Sequence, residues 1–381
     1  MRTLNRSILQ EKIDDRIQTD LENGNLIGVA ARVYQKGSLL YERKAGMTAL
    51  ESGKPVGDDT IFRLASMTKP ITAAAVLILA DRGMLKIEDL IEEYLAEYRG
   101  IQIAALNENE EVVWLGEPKT KVSIFHLLTH SSGIGSMKLG EVFARRMTAD
   151  DQASLESAVK FYAGTGLAYE PFTNGAYSAV AGFDILARIV EIVSGEDYQE
   201  FLRKNIFLPC GMKDTTFTPS EEQWDRMIQM HNKKDGKVCE GQMREGCVFG
   251  DCPVTHYLGG AGLISTIEDY SRFALMLAND GVFDGKRILS SEAVKRMSTG
   301  YIYMDCPPYN QQWGLGVRVI TAEDYQRLPV GAFGWSGAYG THFWVDPVNQ
   351  ITAVYMKNSI YDGGSGAVTA RHFEEDVAAA L

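Results

Sequence analysis

The chain has 381 residues, with 38 basic against 50 acidic side chains, a net charge of −12 and a pI near 5.1. That balance argues against nucleic acid or an anionic membrane surface as the main partner, and no stretch approaches the ~18 apolar residues of a membrane span. A hydrophobic content of 45% and a charged content of 23% are those of an ordinary globular protein, long enough for one large domain or two modest ones.

The N-terminus, Met1-Arg2-Thr3-Leu4-Asn5-Arg6-Ser7, lacks an apolar run and a small-residue cleavage site, so no signal peptide is read and a cytoplasmic setting is expected. Leu4, Ile8, Leu9, Ile13, Ile17 and Leu21 recur at helical spacing and predict an amphipathic helix. Ile27–Tyr34 and Ser38–Arg43 flank Gln35-Lys36-Gly37 and predict a β-hairpin. After a polar stretch around Gly53-Lys54-Pro55, the apolar run Ile71–Ala80 predicts a buried helix. It should begin near Ser66 or Met67, because Pro70 is tolerated only in a first turn, and end at Gly83.

From there to about residue 220 the segments read as mainly helical. A short helix over 121–133 ends in a glycine loop, a long apolar one over 177–195 is opened by Tyr177-Ser178, and a third runs from Glu196 to Pro209. Residues 221–257 are polar and irregular. Five cysteines, Cys210, Cys239, Cys247, Cys252 and Cys306, are odd in number and lack Cys-x-x-Cys spacing. They read as reduced thiols, with no metal site and no cofactor expected.

Thr266 is expected to cap a helix with Asp269 in the capping-box position. The last third returns to strands: 311–319 as one, then 340–347 and 350–356 as a hairpin, before a closing helix over 366–381. This order predicts an α+β fold. An antiparallel sheet domain is expected from 1–65 and 251–381, flanked by the N- and C-terminal helices, with an inserted mainly helical domain over 66–250. The site is expected between the two.

Ser66 and Lys69 form a candidate catalytic pair, against the plainer reading of a capping serine next to a solvated lysine. Residues i and i+3 share a helix face, so the Lys69 amine reaches the Ser66 hydroxyl, and a helix N-terminus favours developing negative charge. A serine hydroxyl is a poor nucleophile until something takes its proton. A lysine can do so only when burial or neighbouring charge lowers its pKa; a tyrosine phenolate among cations is the other candidate base. Tyr177, after Asn174-Gly175, is the best placed of 17 tyrosines. A second Ser-x-x-Lys, Ser157 with Lys160, lies on a polar helix surface and reads as coincidence.

In this order, Ser66-Met67-Thr68-Lys69, Tyr177-Ser178-Ala179 and Trp335-Ser336-Gly337 resemble the three motifs of the serine β-lactamase and penicillin-binding-protein superfamily. Leu127–Ile134, Phe207–Thr215 and Gly259–Thr266 resemble accessory segments of that superfamily, so the likeness runs from about residue 25 to 360. The pattern is most similar to the class C-like branch and, within it, to the family VIII carboxylesterases. The resemblance implies a β-lactamase/transpeptidase-like fold, with Ser66 as acylated nucleophile and Lys69 and Tyr177 sharing the proton transfers. It also implies an oxyanion hole from the N–H groups of Ser66 and Ala338, and substrate contacts at Trp335, Ser336 and Gly337.

Two departures bear on the substrate. Ala179 stands where the superfamily usually has an asparagine, whose amide orients the lysine and a substrate amide. Trp335 stands where it usually has a lysine that attracts a carboxylate; an indole offers an apolar wall instead. Both point toward neutral esters, so a serine hydrolase acting on short-chain carboxylic esters is expected. The rivals are a β-lactamase or D-alanyl peptidase, an acyltransferase or amide hydrolase of the same superfamily, and a non-catalytic scaffold. His130 and His342 have no evident partner and read as structural. There is no Gly-x-Ser-x-Gly elbow, His-Glu-x-x-His motif or Walker loop.

Overall fold

The computed structural model describes residues 1–51, 53–241, 256–305, 311–322, 327–364 and 366–381. Its main sheet has eight strands: β1 (Gly28–Gln35), β2 (Ser38–Gly46), β3 (Ile302–Tyr303), β4 (Gln311–Trp313), β5 (Arg318–Ile320), β6 (Phe333–Ser336), β7 (His342–Asp346) and β8 (Ile351–Met356). They lie in the order β3-β4-β5-β6-β7-β8-β1-β2, each neighbouring pair antiparallel. The two ends of the chain therefore meet where β8 pairs with β1, with Val33 opposite Ala353.

Around the sheet run α1 (Arg6–Glu22), α2 (Thr68–Asp81), α3 (Met137–Arg146), α4 (Leu155–Ala163), α5 (Ala181–Ser194), α6 (Ile267–Ala278) and α7 (Val368–Ala378). The period-2 alternation of the strands divides the core. Val29, Ala31 and Val33 of β1 and Tyr355 of β8 pack against Leu9, Ile13 and Ile17 of α1 and Phe373 of α7. The alternate residues Ala30, Val354 and Met356 join a second, larger core built on α2, α5 and α6.

α2 is buried from Thr68 to Leu79, as a helix that is apolar on every side must be. Pro70 is its third residue, where a missing N–H interrupts no helical bond. Gly83, at φ +67°, follows its end, the left-handed conformation in which glycine costs least.

Several expected elements differ, each because a long-range bond overrides a local pattern. Tyr177-Ser178 does not open a helix: α5 begins at Ala181, because the Ser178 N–H goes to His130 Nδ1. Residues 311–319 form two strands rather than one, since Gly314-Leu315-Gly316 turns the chain. Gly316 takes φ +74° there, and a Cβ on it would collide with Ala73 of α2. Thr266 does cap α6, accepting from the Asp269 N–H. The Asp269 carboxylate does not return the bond; it accepts from the Asp214 N–H and the Thr215 hydroxyl.

The mainly helical stretch also holds a hairpin, Ile103–Leu106 with Val112–Gly116. Within 221–257 there is a short helix, Glu221–Asp225, and a hairpin of His231–Lys234 with Lys237–Glu240. Cys247, Cys252 and Cys306 lie outside the described residues.

Candidate active site

Ser66 is placed by a short crossing. Phe62–Arg63 pairs with Ile264–Ser265, and the Leu64 N–H donates to the Leu263 carbonyl at 2.9 Å. The chain then turns sharply into α2 through Ala65, at φ +47°. A left-handed conformation costs a non-glycine residue about 1–2 kcal/mol, and strain of this kind concentrates at functional sites. The turn leaves the half-buried Ser66 at the entrance of α2, where helical N–H groups lack intrahelical partners.

Two side chains converge on its hydroxyl. The Tyr177 hydroxyl is 2.7 Å from Ser66 Oγ and the Lys69 ammonium is 3.3 Å from it. Lys69 is fully buried and donates further to the carbonyls of Ala179 at 2.6 Å and Gly260 at 2.8 Å. Its Nζ also lies 4.8 Å from the centre of the Tyr177 ring, close enough for a cation–π contact. Glycine at 260 leaves room for this arrangement: a Cβ there would come within 3.3 Å of Lys69 Nζ and 3.1 Å of the Ala179 oxygen, tighter than ordinary contact.

An aromatic cage fixes Tyr177. Trp313 stacks on it at 5.7 Å, Trp335 packs at 5.4 Å and His130 at 4.7 Å. Trp313 is anchored by its own bond, Nε1–H to the Gly175 carbonyl at 2.7 Å. Burial, with the Lys69 charge beside it, holds the His130 imidazole well below its usual range. It is therefore neutral, and its Nδ1 accepts from the Ser178 N–H at 3.1 Å. His130 thus has a partner after all: it aims the Tyr177 segment. A histidine inside the Leu127–Ile134 segment was the available signal; Trp313 had none.

The third motif divides between two faces of β6. Trp335 turns toward Tyr177 and Trp313. Gly337 admits a close approach, since a Cβ there would lie 2.2 Å from the Leu64 carbonyl, two residues from Ser66. Ala338 is exposed just beyond. Ser336 departs from its expected substrate contact: it is buried on the other face, its Oγ bonded to His342 Nδ1 at 2.7 Å. Adjacent strand residues point to opposite sides, so Trp335 and Ser336 cannot both face the site.

A family model described as Beta-lactamase matches residues 13–375. The chain belongs to the β-lactamase family. It is similar to Esterase EstB from Burkholderia gladioli, 28% identical over 397 residues, covering 96% of this chain and 95% of that protein. It is also similar to Penicillin-binding protein 4 from Amycolatopsis lactamdurans, 29% identical over 335 residues, covering 87% of this chain and 80% of that protein. Among solved structures, EstCE1, described as a hydrolase with promiscuous acyltransferase activity, superposes with a TM-score of 0.82 at 20% identity, over 98% of this chain and 99% of that one. The fold is the β-lactamase/transpeptidase fold, and the protein is a serine hydrolase of the β-lactamase and penicillin-binding-protein superfamily.

For a β-lactamase-family member, the second-motif departure has a visible consequence. Where an asparagine amide is usual, Lys69 is held by the Ala179 main-chain carbonyl. The small side chain also borders a cavity of about 560 Å³ that reaches from Tyr177 and Ala179 to Met147, Phe143 and Phe161. Such a volume is within the range of small-molecule sites, ~300–1,000 Å³. By contrast, the second Ser-x-x-Lys lies on α4, where Ser157 bonds Ser154 and Lys160 pairs with Glu156 on the surface.

Among the described residues no helix is long and apolar enough to cross a membrane.

Proposed function

We propose that this chain is a carboxylesterase that works through an acyl-enzyme on Ser66. The observation that carries the reading is the convergence of Tyr177 and Lys69 on one hydroxyl. With Tyr177 as the phenolate, Ser66 Oγ attacks the ester carbonyl carbon while its proton passes to the Tyr177 oxygen as base. The Lys69 cation stabilises the negative charge that this transfer moves between the two oxygens. The N–H groups of Ser66 and Ala338 receive the oxyanion. Tyr177 then gives its proton to the alcohol oxygen as the ester C–O bond breaks. Water attacks the acyl-Ser66 carbonyl, Tyr177 takes its proton, and that proton returns to Ser66 as the acid leaves.

A neutral ester is favoured over a carboxylate-bearing lactam by Trp335, an indole where a cation is usual, and by Ala179, which offers no side-chain amide. EstB, a relative along nearly the whole chain, is named an esterase, which agrees. A short acyl chain is placed at Ser66, and the apolar cavity bordered by Tyr177 and Ala179 receives the remainder of the ester.

Purified wild-type and Ser66→Ala protein, assayed with p-nitrophenyl butyrate and a chromogenic cephalosporin, test the reading. Ester turnover should fall by on the order of 10⁴ or more in the variant. An acyl adduct should appear by intact mass on the wild type alone, with little cephalosporin consumed. Fast cephalosporin turnover would restore the β-lactamase reading. Absence of both turnover and adduct would remove the hydrolase assignment of Ser66.

A further inference from the structure

Lys69 is fully buried, yet its polar partners among the described residues are three neutral oxygens, Ser66 Oγ and the carbonyls of Ala179 and Gly260. A buried ammonium is costly without an opposite charge nearby. Asp184, in the first turn of α5, is also fully buried. Its Oδ1 accepts from the Gly260 N–H at 3.4 Å and its Oδ2 from the Tyr162 hydroxyl at 3.3 Å. Gly260 therefore touches both charges, with its N–H on Asp184 and its carbonyl on Lys69.

We propose that Asp184 is the positioning residue for Lys69: acting through the Gly260 backbone, its carboxylate balances the ammonium and holds it against the Ser66–Tyr177 pair. It takes up, from behind, part of the task that the missing second-motif amide performs elsewhere in the family. The inference rests on the hydrolase reading of Ser66.

The groups facing Asp184 come from every side. Lys69 faces it from α2, Tyr162 from α4, and Tyr98 and Tyr198 from the neighbouring helical segments. His256 places Nε2 4.0 Å from Oδ2. Burial pushes all three tyrosines up and His256 down, so these four are neutral near pH 7, and Lys69 is the cation of the set. Burial likewise pushes the Asp184 carboxyl up to about 7, opposed by the bonds from Gly260 and Tyr162 and by the Lys69 charge. The sign follows: as pH falls through that value Asp184 takes a proton, Lys69 loses its counter-charge, and the reactivity of Ser66 falls.

The test follows Ser66 labelling by a fluorophosphonate, read by intact mass from pH 5 to 9, beside p-nitrophenyl butyrate hydrolysis. Asp184→Asn keeps the shape and removes the charge. It should slow both reactions by roughly 10- to 100-fold above pH 7, as loss of positioning does, and erase the acid limb. It should keep the fold, read as an unchanged far-UV circular dichroism spectrum, with a lower thermal midpoint because the buried Lys69 loses its counter-charge. Tyr162→Phe removes a bond to the carboxylate and should move the limb to higher pH. Wild-type rates and limb in Asp184→Asn, a rate loss with the limb unmoved, or an unmoved limb in Tyr162→Phe would each overturn the proposal. A wild-type chain that neither labels nor hydrolyses ester would instead sink the hydrolase reading itself.

Discussion

Ser66 and Ser336 each sit in a hydrogen-bonded chain, and the one with the more familiar partners is buried out of reach. Ser336 bonds His342 Nδ1 at 2.7 Å, and His342 Nε2 lies 3.0 Å from Glu374. A carboxylate only accepts, so His342 donates through Nε2 and accepts the Ser336 hydroxyl at Nδ1, the partners of a Ser-His-acid triad with the two ring nitrogens exchanged. Ser66 has instead a tyrosine and a lysine. Yet Ser336, His342 and Glu374 are 2%, 1% and 2% exposed, and Arg318 pairs with the carboxylate from within the same layer. Ser336 stands in the strand ladder opposite His342, with α7 above it. Ser66 stands half-buried at a helix entrance, and its partner Tyr177 lines a cavity. The two serines thus differ in access to the hydroxyl more than in the polar partners that surround it.

The sharpest way to break this contrast is Tyr177→Phe. It removes the hydroxyl 2.7 Å from Ser66 and leaves the aromatic cage in place. Loss of a general base costs on the order of 10²–10⁴, so kcat/KM on p-nitrophenyl butyrate should drop by about a thousandfold. A variant retaining a tenth of the activity would mean that Lys69 alone activates Ser66.

Glu374→Gln strikes the other chain. Burial opposes ionisation of Glu374, but the Arg318 charge and the His342 hydrogen bond outweigh it and hold the carboxyl down to about 2. Because the folded value is depressed, its stabilisation is complete above the unfolded value of ~4.3 and is lost as pH falls from there toward the folded one. Breaking a buried pair on one side costs about 3–5 kcal/mol. Denaturant unfolding between pH 2 and 7 should therefore show the variant less stable at neutral pH, with the gap closing below about pH 4. Curves that stay parallel through that window would show that Glu374 is not the stabilising charge.

How far the sequence revealed this depends on the range of the interaction. Ser66 and Lys69 were legible because three residues of helix fix their spacing, and Tyr177 because its motif is local. What holds Lys69 was not legible: Gly260 is 191 positions away and Asp184 lies behind it. The α+β architecture, with an antiparallel sheet built from both ends of the chain, followed from the order of elements; that β8 pairs with β1 came only with the structure. The split of 311–319 into β4 and β5 did not, because the apolar content of Trp313-Gly314-Leu315-Gly316-Val317 reads as a strand until α2 is seen to need a tight turn against Ala73. Ser336 failed for a related reason. A motif names three consecutive residues, but a strand shows alternate ones to each face, and which face is which depends on the register with His342.

That last point yields the gentlest test of the contrast. Ser336→Ala removes the donor to His342 Nδ1 and leaves that nitrogen buried without a partner, which should lower the unfolding free energy by about 1–3 kcal/mol. Because the hydroxyl faces away from Trp335, the KM for p-nitrophenyl butyrate should change by less than about threefold. A substrate contact predicts the reverse, with KM raised severalfold and stability intact. Ser336→Thr separates the two further, since it keeps the hydroxyl but adds a methyl group to a packed layer: it should restore the hydrogen bond to His342 and lose stability only through crowding. If KM moved in Ser336→Ala and recovered in Ser336→Thr, the second face of β6 would have to communicate with the first. The two serines would then belong to one site.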